Sequence, residues 1–133
     1  MKEEVVRAQD PADDNISEAD LVAIARRISQ WRRKRDAILA PLVFADPEWD
    51  ILLDLYVEHG RGRPVTMSSL CIAAAVPTST AARCIHAMVE RGALIKSRDA
   101  DDTRRLVIAL ADDTRQKLRA WLLQVARGRM GAG

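Results

Sequence analysis

The chain has 133 residues, 48% of them hydrophobic, and a formal net charge of +2, as expected for one globular domain with an added tail or helix. No apolar run approaches the ~18 residues that a membrane crossing needs, and the acidic start lacks the apolar stretch of a signal peptide. We therefore expect a cytoplasmic protein that does not interact with a membrane. Cys71 and Cys84 lack metal-ligand spacing, so no metal or other cofactor is expected.

Charge is distributed unevenly along the chain. Residues 1–25 hold seven acidic and two basic side chains, whereas residues 26–133 hold 19 basic and 12 acidic ones. A basic body behind an acidic leader fits a polyanionic partner, although many solvated surfaces are also basic. Residues 1–16 show no sustained apolar period and are predicted to form a disordered acidic tail.

The first periodic segment begins at Ser17, whose spacing to Asp20 is close to a capping box, and ends where Pro41 would break a helix. Apolar residues recur there at helical spacing: Leu21, Ile24, Ile28, Trp31 and Ile38. The opposite face is basic, with Arg26, Arg27, Arg32, Arg33, Lys34 and Arg35. Residues 17–45 are predicted to form an N-terminal helix whose apolar stripe is buried against the domain or a second copy. Its arginines are either solvated or add contacts to phosphates.

A second helix is predicted to begin at Asp46-Pro47, an N-cap acid followed by proline at the first helical position, and to end in the loop at residues 60–64. A short β-prone stretch follows. A brief helix then extends to Ala75, and either Thr66 or Ser68 can cap it.

The next helix follows a turn at Val76-Pro77, extends to Arg91 and is closed by Gly92. Two helices joined by so short a turn are consistent with a helix-turn-helix, whose second helix reads DNA. Its outward side presents small, hydroxylated and basic side chains, which suit close approach to base edges and phosphates. The candidate DNA-binding residues here are Thr78, Ser79, Thr80, Arg83 and His86. An ordinary solvated helix face is the alternative.

Strand periodicity then predicts a hairpin, or wing, from residues 94–98 and 104–110. Basic side chains on a protruding hairpin can reach phosphates or the minor groove. The candidate DNA-binding residues here are Lys96, Arg98, Arg104 and Arg105. The acidic turn argues against contact with DNA unless an aspartate pairs with an arginine across the hairpin. Asp99 and Asp102 are therefore the candidate wing-stabilising residues.

Asp112 is expected to cap a last helix, which together with a short tail makes up residues 112–133. The three tryptophans lie on apolar stripes and are expected to be buried: Trp31, Trp49 and Trp121. The two cysteines are expected to be small buried hydrophobic residues, with a redox role as the alternative. The predicted fold class is mainly α with a small β-hairpin wing. It is a winged helix-turn-helix at residues 46–111, with flanking N- and C-terminal helices.

The wing carries the pattern D-x-x-D-x-R at Asp99, Asp102 and Arg104, and residues 65–83 have a strand, helix, turn and recognition helix in order. In both respects the sequence resembles the MarR family of bacterial winged-helix regulators. The resemblance implies a homodimer that reads a pseudo-palindromic operator in double-stranded DNA, with Arg104 at the minor groove. The chain departs from the family pattern at Ala111, at Ala82 and in its short sequence after Val125.

These observations predict a bacterial, DNA-binding regulator of transcription. A winged-helix protein–protein interaction module without specific DNA binding is the alternative, because the wing turn is acidic and the recognition helix is rich in alanine. An enzyme is not expected, since the sequence has no glycine-rich phosphate loop and no nucleophile paired with a base. The sequence leaves a small-molecule effector open, but nothing in it supports one.

Overall fold

The computed structural model of the chain describes residues 15–42 and 46–128. Within those ranges it has five helices and three strands, in the order predicted from the sequence. The helices are α1 (Glu18–Ile38), α2 (Pro47–Gly60), α3 (Met67–Ala73), α4 (Thr78–Glu90) and α5 (Asp112–Ala126). The strands are β1 (Val65–Thr66), β2 (Leu94–Arg98) and β3 (Leu106–Leu110). The predicted N-terminal tail falls mostly, and the C-terminal tail partly, outside the described residues.

Helices α1 and α2 pack against each other in opposite directions. The capping box at the start of α1 is present, with the Ser17 hydroxyl accepting from the Asp20 backbone N–H at 3.1 Å. The two helices approach closely at the C-terminal end of α2, where a Cβ added to Gly60 would overlap the side chain of Val22. Near the other end, Arg32 Nε lies 2.7 Å from Asp50 Oδ1.

One hydrophobic core joins the helices to the sheet. Its largest fully buried side chains come from all parts of the fold: Leu21, Ile51, Leu53, Tyr56, Leu70, Ile85, Ile108 and Leu122. Burying a side chain of this size stabilises the fold by about 1.5–3 kcal/mol. The core therefore fixes the positions of α4 and the wing, from which the candidate residues project.

The sheet is antiparallel in the order β1-β3-β2. The predicted hairpin pairs Leu94 with Leu110 at its base and Arg98 with Leu106 toward its tip. The short β-prone stretch forms a third strand, because β1 pairs with β3 through two residues. The wing is thus anchored on both sides of β3.

The helix-turn-helix is formed by α3, the turn at residues 74–77, and α4. Of the two predicted caps, Thr66 is the one used, and its hydroxyl accepts from the Ser69 N–H at 3.2 Å. Ala75 in the turn has a φ of 60°, a conformation that glycine adopts more readily. Gly92 has a φ of 83° and ends α4 as predicted.

Several boundaries differ from the sequence-based expectation. β3 begins at Leu106, so Arg104 and Arg105 belong to the wing turn, where the Arg105 N–H bonds to the Asp102 carbonyl at 2.9 Å. Asp112 does not cap α5. It is the first helical residue, and the N-cap is Ala111, which has no side-chain oxygen to accept a bond.

Two predictions about α1 were wrong. Trp31, expected to be a core residue, is 60% exposed although it adjoins Arg32, because it lies on a side of α1 that no described element covers; Ile38, further along the same predicted stripe, is 77% exposed. Arg32, placed on the solvated basic face, is instead half-buried and paired with Asp50. Trp49 and Trp121 are partly buried and contact each other edge to face, with ring centroids 5.1 Å apart.

Candidate nucleic-acid interface

The outward face of α4 carries the candidate residues in the arrangement that its periodicity predicts. Ala81, Ile85 and Met88 point into the core. Four of the candidates are exposed and one is half-buried, namely Thr78, Ser79, Arg83 and His86 in the first group and Thr80 in the second. The N-cap is Pro77, which offers no side-chain acceptor to the first turn. The N–H groups at this end are therefore left for water or for an anion, toward which the positive end of the helix dipole also points.

The wing presents its basic residues on the side of the sheet that faces the helices. Leu94 on β2 is buried, and because side chains alternate along a strand, Lys96 and Arg98 lie on the same face. The pairing of Lys96 with the buried Ile108 supports this placement. Both cations are exposed. They extend the surface of α4 toward the tip of the wing.

Two of the three carboxylates of the wing turn are held by its arginines. Arg105 Nε lies 3.5 Å from Asp99 Oδ2 across the hairpin. Arg104 donates to both oxygens of Asp102, from Nε at 3.0 Å and from a terminal nitrogen at 3.3 Å. These hydrogen bonds hold the pKa of Asp102 below its ordinary value. The acidic turn is thus largely neutralised by its own arginines, while the side chain of Arg104 stays 88% exposed.

The remaining groups give no sign of a catalytic or metal centre in the part of the chain that the structure describes. Burial first, and the Glu48 carboxylate second, raise the pKa of the Cys84 thiol, so its reactive thiolate is scarcer than usual. Cys71 is buried. Histidine, cysteine and acidic side chains form no group of three that could hold a metal within residues 15–42 and 46–128. None of the helices described there has the length and apolarity that a membrane crossing demands.

Ser68 is the residue of this surface that sequence reasoning missed, because it was considered only as a helix cap. Thr66 takes that role, and Ser69 bonds to Thr66 as well. Ser68 is left exposed beside the wing arginines. The sequence did contain a signal. It offers two hydroxyl residues, Thr66 and Ser68, for one helix cap, so one of the two hydroxyls remains available for another contact.

Comparisons with known proteins show the fold. No family model matches the chain, and no curated protein matches its sequence. Among solved structures, MepR from S. aureus in its DNA-binding conformation has a TM-score of 0.52 and 20% identity, over 80% of this chain and 76% of that one. MepR bound to ethidium bromide has a TM-score of 0.52 and 19% identity, over 80% of this chain and 74% of that one.

The chain has a winged helix-turn-helix fold. A glycine-to-lysine variant of MepR agrees, with a TM-score of 0.54 at 20% identity over 80% of this chain and 77% of that one. The fold class predicted from the sequence is confirmed. In this winged helix-turn-helix, α4 is the second helix of the helix-turn-helix, and β2 with β3 forms the wing.

Proposed function

We propose that this protein is a MarR-type, DNA-binding regulator of transcription that acts in the bacterial cytoplasm. The observation that carries the proposal is the surface shared by α4 and the wing. Hydroxyl and basic groups are exposed on α4 and basic groups on the wing, and arginines hold two of the three carboxylates of the wing turn. The fold shared with MepR, which has a DNA-binding conformation, supports the same function.

In the proposed complex α4 enters the major groove and the wing lies at the adjacent minor groove. Thr78, Ser79 and Thr80, at the uncapped start of α4, contact phosphate through their hydroxyl and N–H groups. Arg83 and His86, one and two turns further, reach base edges, where an arginine pairs best with guanine. On the wing, the cations along β2 and Arg105 contact the backbone, and Arg104 reaches the minor groove. These wing residues are Lys96, Arg98, Arg104 and Arg105.

Mobility-shift titration on genomic fragments at several salt concentrations tests this function. Wild-type protein should give a specific shift whose affinity falls steeply as salt rises, since each neutralised phosphate makes the slope of log K against log salt more negative by about 0.9. Arg83→Ala and Arg104→Ala should each weaken binding at least tenfold, whereas Arg27→Ala, which removes an exposed arginine of α1, should change it less than twofold. Absence of a specific shift, or a slope near zero, would refute the function. DNA binding that survives both substitutions would show that α4 and the wing do not contact DNA, whereas partner binding that survives them without any specific DNA binding would favour the interaction module.

We further propose that the protein acts as a homodimer. Four apolar side chains at the end of α1 and in the turn that follows are 43% to 77% exposed: Trp31, Ile38, Leu39 and Leu42. A second copy related by a two-fold axis would cover this surface, and dimers of helix-turn-helix domains in general read two half-sites ~10 base pairs, or a multiple of that, apart. Sedimentation equilibrium should give a dimer that Trp31→Glu converts to monomer. Ala23→Glu, a matched change elsewhere on α1, should leave the dimer intact, and a monomeric wild type would refute dimerisation.

A further inference from the structure

A groove lies between the start of α3 and the wing, beside the surface assigned to DNA. It is lined by Thr66, Met67, Ser68, Arg104, Arg105 and Leu106 and has a volume of about 550 Å³. We call it the Ser68 groove. It holds far more than the ~30 Å³ of a single water. The pairing of Thr66 with Val107 places the first turn of α3 beside the arginines that precede β3.

The chemistry of the Ser68 groove is that of an anion site. Among the described residues, the charged side chains that line it are two arginines and no carboxylate. Arg105 meets Asp99 through Nε, which leaves its terminal nitrogens as donors, and its side chain is 51% exposed. Across the groove the hydroxyl of Ser68 is exposed and forms no bond to the residues that the structure describes. A hydroxyl and a guanidinium that line the same groove can donate to two oxygens of one phosphate.

We propose that the Ser68 groove binds one backbone phosphate of the duplex that α4 reads, with Ser68 and Arg105 as its ligands. This assignment rests on the proposed DNA-binding function and adds to it a contact on α3, outside the recognition helix and the wing strands. Arg104 and Arg105 belong both to the groove and to the wing, and α3 packs against α4. The groove is therefore continuous with the surface that α4 and the wing share. A phosphate held there fixes the register of α4 on the duplex without reading a base.

Two variants of Ser68 test the assignment, because neither should disturb the fold. Ser68→Ala removes only the hydroxyl, and Ser68→Glu places an acid in the first turn of α3, where the helix dipole tolerates it. On the tightest duplex from a random-pool selection, Ser68→Ala should weaken binding about tenfold, and Ser68→Glu more. Gln124→Glu adds the same charge on the exposed side of α5 and should bind like wild type.

The contact is located by replacing one phosphate at a time in that duplex with a neutral methylphosphonate. At one position the replacement should weaken wild-type binding but leave Ser68→Ala unaffected. If no position shows this coupling, or if both Ser68 variants bind like Gln124→Glu while Arg83→Ala loses binding, the inference is wrong and the proposed function stands. If the wild type does not bind DNA, both fail.

The same chemistry could also bind free phosphate. Calorimetric titration of the DNA-free protein with sodium phosphate should give no measurable binding, because the duplex holds its phosphates in place along the whole surface. Submillimolar binding of inorganic phosphate that Ser68→Glu abolishes would identify a free-anion site and would overturn the assignment to DNA.

Discussion

Ala75 shows how a single backbone angle constrains the turn between α3 and α4. Its φ of 60° is in the left-handed region, where a Cβ costs about 1–2 kcal/mol, and its side chain is exposed. Ala75→Gly removes that cost. It also gives the unfolded chain more conformational freedom, which lowers the stability of the fold by about 0.4–1 kcal/mol. We expect a net gain of roughly 0.5 kcal/mol in the free energy of unfolding by urea. Ala120→Gly, in the exposed middle of α5, should instead lose about 1 kcal/mol. A loss in both variants would contradict the strain argument.

Trp31 shows what the periodicity of single residues cannot tell. The spacing of Leu21, Ile24, Ile28 and Trp31 correctly predicts one helix, but helical spacing says only which residues share a face. Whether a neighbouring element covers that face depends on how the next helix packs. α2 contacts the side of α1 that carries Arg32, and Trp31, the residue before it, is 60% exposed on a side that no described element covers. The exposure of the outward residues of α4 agrees with the sequence pattern, because the opposite side of that helix is covered by the core along its whole length.

At the scale of elements, a substitution in the wing tests whether its carboxylates hold the hairpin in position or only contribute negative charge. Asp99 bonds to the Asp101 N–H at 3.2 Å and pairs with Arg105, and its side chain is 14% exposed. Asp99→Asn removes a negative charge near DNA, which alone would raise affinity, but it also releases Arg105. We expect the second effect to prevail, with affinity falling about three- to tenfold and stability changing by less than about 1 kcal/mol.

Asp101→Asn is the matched control for the wing, because the Asp101 side chain is exposed and holds no arginine among the described residues. It should raise affinity slightly. Fluorescence anisotropy on one labelled duplex at fixed salt compares the two variants. If both substitutions raise affinity alike, the pairing does not position the wing.

The junction of α1 with α2 depends on one arginine among several neighbours on the helix. The side chain of Arg32 is 14% exposed and that of Asp50 is 19% exposed, with 2.7 Å between Nε and Oδ1. Arg32→Ala leaves the Asp50 carboxylate half-buried without its partner and should cost about 2 kcal/mol of unfolding free energy. Arg33→Ala, one residue along and exposed, should cost less than about 0.5 kcal/mol. Equal losses for the two variants in urea titrations would show that the pair of Arg32 with Asp50 does not stabilise the junction of α1 with α2.

At the scale of the whole molecule, three helices meet at Glu18. Its carboxylate accepts from Tyr56 Oη on α2 at 2.5 Å and from Arg119 Nε on α5 at 2.9 Å. This contact joins residues 101 positions apart. The sequence predicts each helix from local periodicity, but a polar contact at such separation depends on the packing of all three, and it leaves no local pattern. The fold order and the α4 face are therefore predictable from sequence, whereas the ties between helices are not.

The contact at Glu18 makes a prediction about acid stability. Burial disfavours the charged carboxylate, but the hydrogen bonds from Tyr56 and Arg119 outweigh it, so the pKa of Glu18 lies below its ordinary value. A group with a lowered pKa stabilises the fold fully at pH values above its unfolded pKa, which is about 4.3 for glutamate. This contribution is lost as the pH falls through the folded pKa. Glu18→Gln should therefore cost about 1 kcal/mol at pH 7, since half the side chain is solvated, and the gap to wild type should close below pH 4. Glu90→Gln, an exposed change at the end of α4, should show little gap at either pH. A gap for Glu18→Gln that stays constant in urea titrations from pH 7 to pH 3 would mean that the ionised carboxylate does not hold the three helices together.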